Sequence, residues 1–215
     1  MIFCIDRAGI TGDDGPSHNG VLDLALLTKV PGMTVLAPSS YEEVQVMLAE
    51  ALDNTTGPVA IRWPKTEARR SSLTGSGLFA RRVLRGNRAC LLGFGKMVEV
   101  CERAAQILRR DGIEVTVWDG RVAAPLDPFM LRDALEHPVV VTVEDGIAEG
   151  GVGSSVASAL RARAGAGALP TLASYGLPLA YFAPGSASDI LSSLGLDESQ
   201  LAEKVRCLCA PRVTA

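Results

Sequence analysis

An α/β fold with mainly parallel sheets and helices on both faces is what this sequence predicts. Short apolar runs of strand type alternate with segments whose apolar residues recur at helical spacing, the pattern that parallel strands and crossover helices produce. The alternation occurs before and again after a basic, aperiodic stretch. Finally, 215 residues with 47% hydrophobic and 21% charged side chains suffice for one large or two modest buried cores.

Taken in order, the chain opens on the apolar run Met1-Ile2-Phe3-Cys4-Ile5, a strand that passes directly into Asp6-Arg7-Ala8-Gly9 as though from inside a domain. A polar glycine-rich loop fills residues 9–20, a helix residues 21–29, and a short buried strand residues 33–37. Ser39-Ser40-Tyr41-Glu42-Glu43 has the hydroxyl-then-acid spacing of a helix start, and Val44, Met47, Leu48 and Ala51 continue one apolar face. Pro58-Val59-Ala60-Ile61-Arg62-Trp63 is a further strand. Residues 67–85 lose periodicity and carry arginines at 69, 70, 81, 82 and 85, which reads as a solvated basic linker. The first unit is therefore expected at residues 1–66 and the second at 86–215.

In the second unit the expected order is a strand at 89–93, a helix at 97–110, a strand at 114–118 and a helix at 128–136 behind Pro128. A strand at 139–143, a glycine-rich loop at 144–153, a helix at 154–163, a strand at 171–175 and two short helices follow. Residues 86–215 are expected to fold better alone than with the first unit attached, because the strand at residues 2–5 is shaped for neighbours that would precede it, leaving apolar surface exposed.

A formal net charge of −3 gives no basic footprint for a phosphate backbone, which speaks against nucleic acid. The five cysteines are odd in number, scattered and without zinc-ligand spacing, as expected in a reducing cytosol; Cys207 and Cys209 read as structural. No apolar run of about 18 residues is present, so no membrane partner is expected, and the chain reads as cytoplasmic.

Ligands of open α/β sheets bind beyond the carboxyl ends of the strands, so the loops after strands carry the functional expectation. Residues 6–20 hold Arg7, Asp14 and His18 among glycines: a planar fork suited to phosphate or carboxylate, an acid, and a group able to move a proton near neutral pH. A helix-capping loop with a surface histidine accounts for the same residues equally well. The loop at 144–153 opens a helix, but Glu144, Asp145 and Glu149 would repel a phosphate, and a turn or interface role is expected. Gly93-Phe94-Gly95-Lys96 is read as a structural turn, and His137, before Pro138, as a cation-capable helix end. No serine elbow, Walker loop or metal-binding histidine pair occurs.

Asp6-Arg7-Ala8-Gly9 followed by Gly12-x-Asp14-Gly15-Pro16-Ser17-His18-x-Gly20 resembles the DRAG…GxDGPTHxG signature of the 1-deoxy-D-xylulose-5-phosphate synthases, within the transketolase superfamily. Pro31-Gly32-Met33, Ala37-Pro38-Ser39, residues 57–65, Val143-Glu144-Asp145 with Gly150-Gly151-Val152-Gly153, Gly176-Leu177-Pro178 and Leu194-Gly195-Leu196-Asp197 continue the likeness collinearly. The resemblance implies that residues 1–66 end a thiamine-diphosphate pyrimidine-binding domain and that residues 86–215 are a transketolase C-terminal domain. It implies a transferase that condenses pyruvate, with loss of carbon dioxide, with glyceraldehyde 3-phosphate for isoprenoid-precursor, thiamine and pyridoxal synthesis, using thiamine diphosphate and magnesium. By the same resemblance Arg7 and Lys65 bind the substrate phosphate, and Asp14 and His18 are catalytic, with His18 moving the proton. Lys65 stands where an arginine would bring a bidentate fork. The family's cofactor ligands, a Gly-Asp-Gly…Asn motif and an activating glutamate, would precede Met1. This chain alone is therefore expected to bind neither cofactor nor metal and to be inactive, working as a homodimer or with an N-terminal half. Two further possibilities are a non-catalytic partner of a full-length or split synthase and the beta-type subunit of a 2-oxo-acid dehydrogenase; the Asp6-Arg7-Ala8-Gly9 run speaks against the second.

Overall fold

The computed structural model describes residues 1–67 and 69–210. In the first unit the elements are β1 (Ile2–Ile5), α1 (Asp23–Leu27), β2 (Thr34–Leu36), α2 (Tyr41–Asn54) and β3 (Val59–Arg62). The second begins with β4 (Arg81–Leu84), β5 (Ala89–Gly93), α3 (Met97–Arg110), β6 (Val115–Asp119), β7 (Val122–Ala124) and α4 (Pro128–Leu135). It continues through β8 (Val139–Ile147), α5 (Val152–Ala164), β9 (Thr171–Leu177), α6 (Ala187–Ser193) and α7 (Glu198–Cys209). The expected fold class holds: β1, β3 and β2 are parallel in one sheet, and β6, β5, β8 and β9 are parallel in the other.

Local chemistry sets the helix starts. Ser40 accepts a hydrogen bond from the Glu43 backbone amide at 3.2 Å, the cap anticipated for α2. Asp127 accepts from the amides of Phe129 and Met130 at 2.6 and 3.0 Å, and Pro128 follows it at the first helical position of α4. All nine residues of β8 are buried, as a strand covered on both faces requires.

Two strands escaped the sequence reading. β4 lies inside the stretch read as linker and pairs antiparallel with β6. Its Arg-Arg-Val-Leu has no apolar alternation because the arginines carry the contacts: Arg81 faces Asp119 at 3.5 Å, and Arg82 pairs with Asp133 at 3.0 Å. The stretch is thus held by ion pairs, and Arg69 adds two more hydrogen bonds, to Glu102, of which one is 3.1 Å long. β7 has three residues, too few to show a period, and it pairs antiparallel with β2 of the first unit.

That pairing ties the units together, and so do the cores. Leu24 and Val35 pack in one cluster with Leu92, Phe94 and Trp118, while Ile10 lies in the cluster of Leu91, Val141 and Leu177. Between the units Arg121 is fully buried; its Nε donates to Glu43 at 2.8 Å and its Nη1 to the carbonyls of Gly77 and Phe79 at 2.9 and 2.6 Å. A second unit that folds better alone is therefore not what this packing supports: removing residues 1–66 would strip side chains out of both of its cores. The expected exposure at β1 is present, since this strand is an edge of its sheet and Phe3 is 44% exposed.

Candidate functional site

Beyond the carboxyl end of β1, Arg7 takes a left-handed φ of 60°, unusual for a side-chain-bearing residue, and Gly9 follows at 71°. These turns fold the chain into a loop whose neck is stitched by backbone hydrogen bonds. The Ala8 amide donates to the Trp63 carbonyl at 2.9 Å, Gly9 to Gly20 at 3.0 Å, and Gly20 back to Arg7 at 2.9 Å. Across the loop, Asn19 Oδ1 accepts from the Thr11 amide and hydroxyl at 2.9 and 3.0 Å. Its tip is a single 3-10 turn, Pro16–His18.

The four residues singled out from sequence come together here. Arg7 Nη1 donates to Asp14 Oδ2, and Lys65, just past the end of the neighbouring β3, donates to Asp14 Oδ1 at 2.6 Å. Asp14 thus bridges two cations that reach it from adjacent strand ends. The Lys65 hydrogen bond, with Arg7 adding to it, holds its carboxyl below the usual range. His18 is exposed, and its Nδ1 lies 3.0 Å from the Asp14 carbonyl oxygen. The Ser17 hydroxyl lies 3.3 Å from the same nitrogen, and the tautomer with its proton on Nδ1 donates to that carbonyl and leaves Nε2 as the acceptor. Two cations, one from the loop and one from the end of β3, thus flank a single carboxylate whose loop also carries the imidazole. Pro16, Ser17 and Asn19 of the loop border an open cleft of about 450 Å³, flanked by Leu179 and Tyr181, which none of the four residues lines.

The other loops behave as their residue types suggest. Glu144 accepts from the amides of Val152 and Gly153 at 3.0 and 2.8 Å, so the chain's own carboxylate fills the start of α5. Burial raises that carboxyl to about 7 against the pull of the two amides. Phe94 is fully buried, and burial lowers the pKa of Lys96. Each ring nitrogen of His137 is engaged, Nδ1 by the Asp133 carbonyl at 2.8 Å and Nε2 by the Thr116 hydroxyl at 2.9 Å.

Cys90, Asp133 and His137 form the one cluster of three metal-capable side chains found among the described residues. A thiol and an imidazole suit soft or borderline ions, whereas magnesium takes an oxygen set. Burial also pushes the Cys90 thiol well up, and Asp133 already accepts from Trp118 Nε1 at 2.7 Å. These residues do not fit magnesium diphosphate.

Sequence reasoning passed over Arg62. It is 2% exposed, and it makes ion pairs with Asp145 at 2.7 Å and Asp23 at 3.4 Å beneath the loop. The available signal was its position as the lone charge in the apolar run of residues 58–63.

Comparison with known proteins adds the family context. The transketolase pyrimidine binding domain matches residues 1–71 and the transketolase C-terminal domain residues 79–201. The chain is similar to 1-deoxy-D-xylulose-5-phosphate synthases from Gloeobacter violaceus, 38% identical over 96% of this chain and 33% of the relative, and from Chlorobium phaeovibrioides, 38% identical over 96% and 33%. It thus spans about a third of the length of these curated relatives. Among solved structures, a split gene transketolase described as an inactive beta4 tetramer superposes with a TM-score of 0.84 at 24% identity, over 97% of this chain and 66% of that one. Transketolase from Campylobacter jejuni superposes with a TM-score of 0.76 at 19% identity, over 96% and 31%.

Proposed function

Because the chain belongs to the transketolase family, with the pyrimidine-binding match preceding the C-terminal domain, we propose that it furnishes the acceptor-binding part of a 1-deoxy-D-xylulose-5-phosphate synthase. The observation that carries the reading is the convergence of Arg7 and Lys65 on one carboxylate, Asp14, beside His18. In the complete enzyme the phosphate of glyceraldehyde 3-phosphate takes the place of Asp14 between the two cations. Arg7 then donates to the phosphate oxygens, Lys65 adds a point charge, and His18, with a proton on Nε2, delivers it to the acceptor's aldehyde oxygen as that oxygen becomes a hydroxyl. Asp14, once released, is free to accept from a hydroxyl of the bound substrate.

Thiamine diphosphate, which would act on pyruvate, and the magnesium that would hold its diphosphate belong in this reading to the part of the enzyme outside these residues. The same reading puts the complete enzyme in the cytoplasm, as a homodimer or assembled with an N-terminal half, supplying isoprenoid-precursor, thiamine and pyridoxal synthesis. By itself the chain is expected to give no micromolar binding when titrated calorimetrically with thiamine diphosphate and magnesium.

The test is to supply the missing two-thirds of a relative as a separate polypeptide and follow product formation. Arg7→Ala should raise the KM for glyceraldehyde 3-phosphate about ten- to a hundredfold, the value of a charge-assisted hydrogen bond, and affect unphosphorylated D-glyceraldehyde much less. His18→Ala should lower kcat on the order of a hundred- to ten-thousandfold. An equal loss with both acceptors would remove Arg7 from the phosphate site.

A further inference from the structure

Below the loop lies a group of charges that the proposed chemistry does not use. Arg62 and Asp145 are each 1% exposed at the side chain and 2.7 Å apart, one at the end of β3 and the other on β8 of the second unit. Arg62 also reaches Asp23 at 3.4 Å and donates from Nη2 to the Gly20 carbonyl at 3.4 Å. Gly20 in turn donates to the Arg7 carbonyl at 2.9 Å, so a chain of hydrogen bonds runs from Asp145 through Arg62 and Gly20 to the strained backbone of Arg7.

Three details aim Asp145 at this place. The β8–β9 register breaks between Val143 and Ile147, and such a break re-aims the side chains within it. The Ile147 amide donates to the Val21 carbonyl at 2.9 Å, fastening the same end of β8 to the first unit just past the loop. A Cβ on Gly9 would stand 2.6 Å from Asp145 Oδ2, so the carboxylate is packed directly against the loop's neck.

Taking two charges out of water is costly, and an apolar pair of similar volume commonly gives equal or greater stability. Stability is therefore a weak reason for this pair, and orientation a stronger one. We infer that Arg62 and Asp145 are positioning residues through which the second unit holds Arg7 and the neck of the loop in their binding geometry. The inference deepens the proposed function and rests on Arg7 and Lys65 being the phosphate grip.

Amide hydrogen exchange on the full chain tests it without any ligand. In Arg62→Met/Asp145→Leu, exchange at Ala8, Gly9 and Gly20 should quicken about ten- to a hundredfold while Leu91 and Val141 keep their protection. If that double variant does not fold, Arg62→Lys retains the charge without the fork and should show the same local change. Unchanged exchange at the neck, or a loss of protection shared equally by core and neck, would overturn the inference. Titration with inorganic phosphate separates it from the functional reading. Binding that Arg7→Ala abolishes and the Arg62 variant weakens supports both. Binding that depends on Arg7 but is indifferent to Arg62 overturns the inference alone. Absence of phosphate binding in the parent chain counts against the proposed function, and the exchange data still judge the neck.

Discussion

Asp14 is an internal competitor for any anion that enters between Arg7 and Lys65, since it already presents an oxygen to each. Asp14→Asn keeps the shape of the side chain and removes its charge, so inorganic phosphate should bind the variant about tenfold more tightly than the parent at low salt. Calorimetric titration measures this; equal affinity would mean that the carboxylate does not occupy the anion position. Competition fades only in strongly acidic solution, because the two cations hold the Asp14 carboxyl below its ordinary range. Arg7, Asp14 and His18 could be read from sequence because they share one short loop after a strand. Lys65, 51 positions from Asp14, was found only through resemblance, and Arg62 and Asp145 stayed hidden because the contact between them spans 83 positions.

At the level of elements, the start of α5 carries a pH response. Glu144 holds its proton more firmly when folded, its carboxyl rising from 4.5 to about 7 through burial. The folded state then binds more protons than the unfolded one between those values, so stability falls as the pH rises through that window. Asp119, fully buried and raised to about 6, acts in the same direction. From pH 5 to pH 8 the Glu144 contribution should diminish by on the order of 2 kcal/mol. Urea unfolding at the two pH values should show this slope reduced in Glu144→Gln; an unaltered slope would mean that Glu144 is already ionised at pH 5. Elements with a full helical period or a continuous apolar run, such as α3 and β8, were legible from their residues. β4 was not, because its arginines face acids from α2, β6 and α4, a charge pairing that no local pattern displays.

For the molecule as a whole, the shared cores predict one cooperative transition. Leu24 and Val35 are fully buried among second-unit side chains, and each such side chain contributes roughly 1.5–3 kcal/mol. Heating should give equal calorimetric and van't Hoff enthalpies, and residues 81–215 alone, which keep β4, should melt at a lower temperature than the full chain. Two separate transitions, or a fragment as resistant as the whole, would show that the units stand independently. The strand exchange at β7 also bears on how the protein is made. A ribosome delivers residues in order at about 5–20 per second, yet β2 finds its antiparallel neighbour only at Val122–Ala124. Every nascent chain therefore passes through several seconds in which the first sheet has emerged with that edge of β2 unpaired.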